Sequence, residues 1–332
     1  MSLNRLLKVS LLKLLPSALK RRIIWRRAPA MTAVLWGLHV KERPEVQLCD
    51  RTLLVVELED GTQLIGEEAL PRESLMYDWL VQEKGLSIKH VKVLLDVAAR
   101  YLHPHMSVGY QRMKWPLAER RHFHPQHQNL AAEDQSLDAS VREELARVFK
   151  PQKGWAIIDV GSYCGHGALR IARDVGPSGK VLCVEAKELN VEVIREHIRR
   201  NGVQQMEVRY HAIWKEPGKT IDFHTTGRQA NAIDAEVVDG KSVPVVTTSL
   251  PALIDDLGVV PSLVSLTVNG AEVEAIEGLN GLDPERLPER IMAPGWYLKE
   301  GEPRWKFMVP NLKALGYKVA VTHGGFVFGW RV

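Results

Sequence analysis

The chain has 332 residues, 45% of them apolar and 25% charged, a composition suited to one large folded domain plus an extension. That excludes a low-complexity chain, and no run of about 18 apolar residues is present to span a bilayer. The net charge of +4 hides an asymmetry: residues 1 to 28 carry eight basic residues and no acid, so the remainder is net −4. Cys49, Cys164 and Cys183 show neither metal nor disulfide spacing, which fits reduced thiols in a cytoplasmic compartment.

At helical spacing Leu3, Leu6, Leu7, Leu11, Leu14 and Leu15 share a broad face, with Arg5, Lys8 and Lys13 mainly opposite. Pro16 ends or kinks that helix, and Lys20-Arg21-Arg22 and Ile23-Ile24-Trp25 follow. Leucines, an interfacial Trp and basic residues fit a helix lying in the headgroup region of an anionic membrane. The alternative is a terminal helix packed on the body or on another subunit. Lys13 and Pro16 interrupt any secretory apolar core, and stacking aromatics for nucleic acid are scarce. Residues 1–28 are therefore expected to hold the protein on the inner face of the cytoplasmic membrane.

Residues 29–150 form an N-terminal α/β extension. Thr52 to Leu64 alternates apolar and polar positions around Asp60-Gly61, which predicts a hairpin. A helix is expected over residues 73–101, with Leu80, Val91, Leu94, Leu95 and Ala98 on its apolar side. The irregular stretch to Ser136 contains His103, His105, His122, His124 and His127. The spacing of His122-Phe-His124-Pro-Gln-His127 matches no established ligand set and no acid or cysteine is interleaved with it, so no metal is expected. A loop over an active site and a solvated surface loop both remain open. A short helix from Asp138 leads to Pro151, where the core domain, 151–332, is expected to start.

The core begins with an apolar strand (Trp155 to Val160), a glycine-rich turn and a helix (Ala168 to Asp174). A second strand (Val181 to Val184) ends on Glu185, a third spans about Glu207 to Ala212, and a helix covers Leu250 to Leu257. A fourth strand follows at Leu263 to Val268, with Glu272 opening the next helix, and a fifth lies near Arg290 to Ala293. The helix Trp305 to Leu315 precedes a closing hairpin of Tyr317 to Thr322 and Phe326 to Arg331. Alternating strands and helices argue for an α/β fold with the sheet covered on both faces.

Glycines at a strand–helix turn let a ligand approach the backbone, and Glu185 is placed to accept from ribose hydroxyls. Its distance of 24 residues from Gly161 suits a nicotinamide dinucleotide as well as S-adenosylmethionine. The glycines at 161, 165 and 167 do not make the G-x-G-x-x-G of a pyrophosphate site. Asp159 would repel a pyrophosphate but suits the ammonium of a methionine moiety, which favours S-adenosylmethionine. Trp214, after the third strand, is read as flanking the adenine or packing in the core.

Ile157-Ile158-Asp159-Val160-Gly161 with Gly165, Val184-Glu185-Ala186 and Asn201-Gly202 resemble the FkbM-type S-adenosylmethionine-dependent methyltransferases. Ala212, Thr248-Ser249-Leu250, the stretch Leu263 to Glu272 and Leu315-Gly316-Tyr317 continue the resemblance in order, over about residues 150 to 332. The resemblance implies a seven-stranded class I, Rossmann-like methyltransferase sheet whose last strand runs antiparallel. It also implies cofactor contacts from Asp159, Gly161, Ser162, Tyr163 and Gly165, from Glu185 and Ala186, and from Ala212 and Ile213.

The chain departs from the family at the fourth strand, where Lys-x-Asp-x-Glu-Gly-x-Glu is usual. Ser265, Thr267 and Asn269 replace the lysine and the first two acids, leaving Gly270 and Glu272. Pro251 follows Ser249-Leu250 where the family has Asp. Catalytic roles therefore fall to Glu272 as base and to Thr267 and Asn269 as acceptor-orienting groups, with the histidines of 103–127 as other candidate bases. The expected activity is O-methylation of a glycan, lipid-linked sugar or related small-molecule acceptor at the membrane. The alternative is a catalytically degenerate, membrane-associated scaffold.

Overall fold

Unalternating apolar runs make strands buried on both faces, and five such runs build the centre of this protein. In a computed structural model, residues 41–42, 45–57, 61–66, 137–225, 241–322 and 325–332 are described. They belong to two compact units, one before residue 67 and one from residue 137 onward. Residues 1–28, the helix expected over 73–101 and the histidines of 103–127 lie outside the described residues.

The first unit is a four-stranded antiparallel sheet of β1 (Lys41–Glu42), β2 (Val46–Leu48), β3 (Arg51–Glu57) and β4 (Gln63–Gly66). β3 and β4 form the expected hairpin, with Val55 opposite Ile65. Leu53, Val55, Leu64 and Ile65 are buried, and because Leu64 and Ile65 are consecutive, β4 is covered on both faces.

The second unit opens with α1 (Ala139–Val148) and continues through β5 (Ala156–Val160), α2 (His166–Val175), β6 (Lys180–Glu185), α3 (Glu188–Asn201) and β7 (Met206–Tyr210). Next come β8 (Ala212–Ile213), β9 (Thr220–Thr225), β10 (Lys241–Thr248), α4 (Leu250–Leu257), β11 (Leu263–Leu266) and α5 (Glu272–Glu277). The unit closes with β12 (Arg290–Pro294), the short pair β13 (Leu298–Lys299) and β14 (Glu302–Pro303), α6 (Trp305–Ala314), β15 (Lys318–Val321) and β16 (Phe326–Trp330).

Seven strands lie in the order β15-β16-β12-β11-β5-β6-β7. β16 runs antiparallel between β12 and β15, and the pairs from β12 to β7 are parallel. This is the class I methyltransferase sheet implied by the sequence. The order reverses between β5 and β11, because the chain runs outward through β6 and β7 and then returns to the other side of β5. Ligand crevices in open α/β sheets form at the strand carboxyl ends beside such a reversal.

Three departures from the sequence reading shape the site. β7 stops at Tyr210, and Ala212–Ile213 leaves the main sheet to pair in parallel with Thr247–Thr248 of β10. β10 also pairs antiparallel with β9, making a separate three-stranded sheet where the sequence carried no recognised strand signal. β11 ends at Leu266, two residues early, although the Thr267 N–H still bonds the Val160 carbonyl at 2.9 Å. The unit also reaches back past Pro151. Phe149, after α1, meets Phe328 edge-on at 5.0 Å, and Glu144 accepts from the Trp330 indole N–H at 3.0 Å.

α4 forms as expected, over the same residues, for a local reason. Ser249 Oγ caps it by accepting from the Ala252 N–H at 3.4 Å, and Pro251 sits in the first turn, where no N–H is needed. Among the described residues no helix is long and apolar enough to cross a membrane.

Candidate cofactor and acceptor cleft

The turn from β5 to α2 is shaped by glycine. Gly161 has φ +78°, and a Cβ there would sit 2.0 Å from the Thr267 carbonyl oxygen. The ends of β5 and β11 therefore touch through bare backbone. Gly165 has φ +72° and stands at the start of α2, where a Cβ would come 2.7 Å from Ile194. Tyr163, between them, takes a positive φ of 52°.

This turn faces an open cleft at the carboxyl ends of β5, β6 and β11. Gly161 and Tyr163 line it, as do Glu185 and Ala186 at the tip of β6 and Ala212 and Ile213 of β8. Thr267 and Asn269 close it from the β11 side. Eight of the twelve residues singled out from sequence thus meet in one cleft.

The other four stand apart from it. Ser162 turns inward and donates to the Asp159 carbonyl oxygen at 2.6 Å. Asp159 is buried one register position from the turn, opposite Cys183 and Ser265. Gly165 packs on Ile194.

Glu272 is the fourth, and its geometry differs most from a base. It is fully buried, and its two carboxylate oxygens accept from the Val268 N–H at 3.2 Å and the Gly270 N–H at 2.9 Å. Burial pushes its pKa up to about 7, against those backbone bonds and the charge of Arg304. It braces the turn holding Asn269 (φ +53°) and Gly270 (φ +124°), so β11 stops early and Asn269 is presented at the cleft. Glu272→Ala is expected to lower unfolding free energy by about 3 kcal/mol, because two buried N–H groups lose their acceptor. Urea denaturation reads this, and unchanged stability would mean that Glu272 is not a brace.

Glu185 is the charged centre of the cleft. Its Oε2 accepts from the Tyr163 N–H at 2.8 Å and its Oε1 from the Lys187 N–H at 3.0 Å, which aims the carboxylate at the glycine turn. Burial raises its pKa to about 7, opposed by the Lys187 N–H, the Asn190 amide and the Tyr163 N–H. Glu185 lines the cleft, where a ligand can reach it.

On the β11 side of the cleft, the Tyr297 hydroxyl donates to Asn269 Oδ1 at 2.8 Å and so fixes the amide. Burial, and then the Glu272 charge, raise the Tyr297 pKa. Sequence reasoning missed Tyr297, and also Asn190, His211 and Phe223, which line the cleft. His211 carried one usable signal, standing directly before Ala212. Phe223 carried none, because its strand went unrecognised. Trp214 packs against the main core cluster. Among the described residues, no group of three His, Cys, Asp or Glu is placed to hold a metal ion.

No protein-family model and no curated protein matches the chain. Solved structures do. A SAM-dependent methyltransferase from Aquifex aeolicus is 15% identical with a TM-score of 0.32, covering 57% of this chain and 86% of its own. Precorrin-6y C5,15-methyltransferase from Geobacter metallireducens is 14% identical, TM-score 0.36, with coverages of 59% and 90%. Fibrillarin from Aeropyrum pernix, in complex with natively bound S-adenosyl-L-methionine, is 13% identical, TM-score 0.37, with coverages of 89% and 100%. At these scores the likenesses add nothing to the fold already read from the strand order.

Proposed function

We propose that this protein is an S-adenosylmethionine-dependent methyltransferase. The observation that carries the reading is the Glu185 carboxylate, aimed by two backbone N–H groups into a cleft walled by the glycine turn at the sheet's reversal point. The residues fit the cofactor: the Glu185 carboxylate at the cleft suits ribose hydroxyls, and the glycine turn lines the cleft beside it.

The cofactor would supply a methyl group already activated on a sulfonium sulfur. The protein's part is to orient the acceptor and manage its proton. Thr267 and Asn269 are placed to orient it by hydrogen bonds, with Tyr297 holding the Asn269 amide. Neither takes up a proton at neutral pH, and Glu272 is committed to its turn. A histidine from 103–127 is our candidate for the base. The ordered motifs support an FkbM-type enzyme acting on a hydroxyl of a glycan, lipid-linked sugar or related metabolite.

The withdrawal of Glu272 favours a second reading, a cofactor-binding or ligand-free scaffold without turnover. Calorimetry of the full chain with S-adenosylmethionine, beside NAD, separates the readings. Binding of the first alone supports the methyltransferase, whereas a folded protein that binds neither leaves the scaffold.

The basic, leucine-faced segment 1–28 supports attachment to an anionic membrane. Each Lys or Arg near such a surface contributes at most about 1 kcal/mol, so several act together with buried leucines. Deleting residues 1–28 is expected to abolish co-sedimentation with phosphatidylglycerol vesicles. Undiminished partition would rule out the segment as the anchor.

A further inference from the structure

We propose that the acceptor is an anion carrying a carboxylate or phosphate, and that Arg304 and Lys299 bind that group beside Asn269. The proposal rests on the methyltransferase reading and narrows its acceptor.

Gly161 follows β5 and Glu185 ends β6, so a cofactor held there leaves the acceptor the side of the cleft where Thr267 and Asn269 follow β11. β12 is the next strand, and the chain after it returns to that side. The Tyr297 hydroxyl reaches Asn269, and the Tyr297 carbonyl accepts from the Arg304 N–H at 2.8 Å. The β13–β14 pair, which includes Lys299, closes the loop between Tyr297 and Arg304. The Arg304 guanidinium lies against Gly270, the neighbour of Asn269. A Cβ at Gly270 would be 3.5 Å from Arg304 Nη2 and 3.9 Å from its Nε.

Charge is unbalanced at this place. Among the described residues, one carboxylate serves both cations: Glu274 Oε1 accepts from Lys299 at 2.7 Å and its Oε2 from Arg304 Nη1 at 3.3 Å. Glu272 feels the Arg304 charge, but its oxygens already accept from the Val268 and Gly270 N–H groups and it is only partly ionised at pH 7. Thr267 and Asn269 bring no charge. Arg304 Nε is buried without a hydrogen-bond partner among the described residues, in a side chain only 6% exposed. A guanidinium fits two oxygens of a carboxylate or phosphate at once, so one shared carboxylate leaves this one short of acceptors. The Lys299 side chain, 22% exposed, opens the pair to solvent. A ligand anion entering beside it would meet the donors that Glu274 leaves unmet.

Saturation-transfer NMR on the full chain with S-adenosylhomocysteine bound is the test, with D-glucuronate and glucose 6-phosphate as anionic probes and glucose as the neutral one. At least one anionic sugar should bind and glucose should not. Binding of glucuronate alone identifies a carboxylate, and of glucose 6-phosphate alone a phosphate. Arg304→Gln and Lys299→Gln should each weaken that binding about tenfold, with thermal melts to check that the variants are folded. Lys299 is the more exposed of the two, so its variant carries the test if Arg304→Gln does not fold. Glu274→Gln should do the reverse and tighten the anion several-fold, because it removes the carboxylate that competes for both cations. A purely structural triad would show no such gain. Cofactor-loaded protein that binds neither anion, binds glucose equally well, or keeps full anion affinity in the Lys299 and Arg304 variants overturns the proposal and leaves the methyltransferase reading standing. A wild-type protein that does not bind S-adenosylhomocysteine overturns that reading, and the proposal with it.

Discussion

Glu185→Ala is expected to weaken S-adenosylmethionine binding about 100-fold. On the proposed reading, two charge-assisted hydrogen bonds to ribose hydroxyls would contribute roughly 3 kcal/mol together, and the variant also releases the Tyr163 and Lys187 N–H groups that shape the turn. Titration calorimetry measures it directly. An unchanged dissociation constant would falsify the assignment of Glu185 to the ribose.

The same residue gives the binding a pH dependence whose sign is fixed by its pKa of about 7. The ribose hydroxyls both donate, so they need the ionised carboxylate. Affinity should therefore rise from pH 6 to pH 8 and level off above, and binding below the pKa should take a proton off Glu185. The stability of the unliganded protein runs the opposite way. Between the ordinary value of 4.5 and about 7, the folded protein keeps a proton that the unfolded chain has released. This group's contribution to stability thus falls as pH rises through that window and is constant beyond it. Thermal stabilisation by the ligand should be larger at pH 8 than at pH 6, and Glu185→Ala should remove the difference.

Gly161→Ala should be the most damaging substitution to the fold. The added carbon would lie 2.0 Å from the Thr267 carbonyl oxygen and 2.8 Å from its carbon, both backbone, so no rotamer change relieves the contact. β5 and β11 would have to part at the cleft, in addition to the strain of alanine at φ +78°. A loss of about 4 kcal/mol is expected, with a fall in melting temperature of about 10 °C. Gly202→Ala is the matched control. Its φ is +61° but nothing lies within 4 Å of the new carbon, so it should cost only about 1 kcal/mol. Equal effects of the two would show that positive φ, not the approach of β5 to β11, governs Gly161.

The elements most legible in the sequence were those whose signal is local. Apolar runs marked β5, β6, β11, β12 and β16. The order of these elements, with a closing hairpin, was enough to reach the seven-stranded sheet. The glycine spacing and the acid ending β6 led to a cleft containing Gly161, Tyr163, Glu185 and Ala186.

Side-chain direction and long-range pairing were not legible in this way. Glu272 looked like a reactive acid from its place in a motif, but its two oxygens are occupied by N–H groups of a turn that only the tertiary structure forms. Tyr297 lies 28 residues from Asn269 and meets it because β12 lies next to β11. Phe223 reaches the cleft because β10 pairs with β8 on one side and β9 on the other, a register no local pattern encodes. Sequence alone determined the succession of strands and helices along the chain and the acid at the tip of β6, since burial and turn chemistry are properties of adjacent residues. Tertiary structure decided which polar groups remain available to a ligand, since that depends on which distant N–H groups have already claimed them.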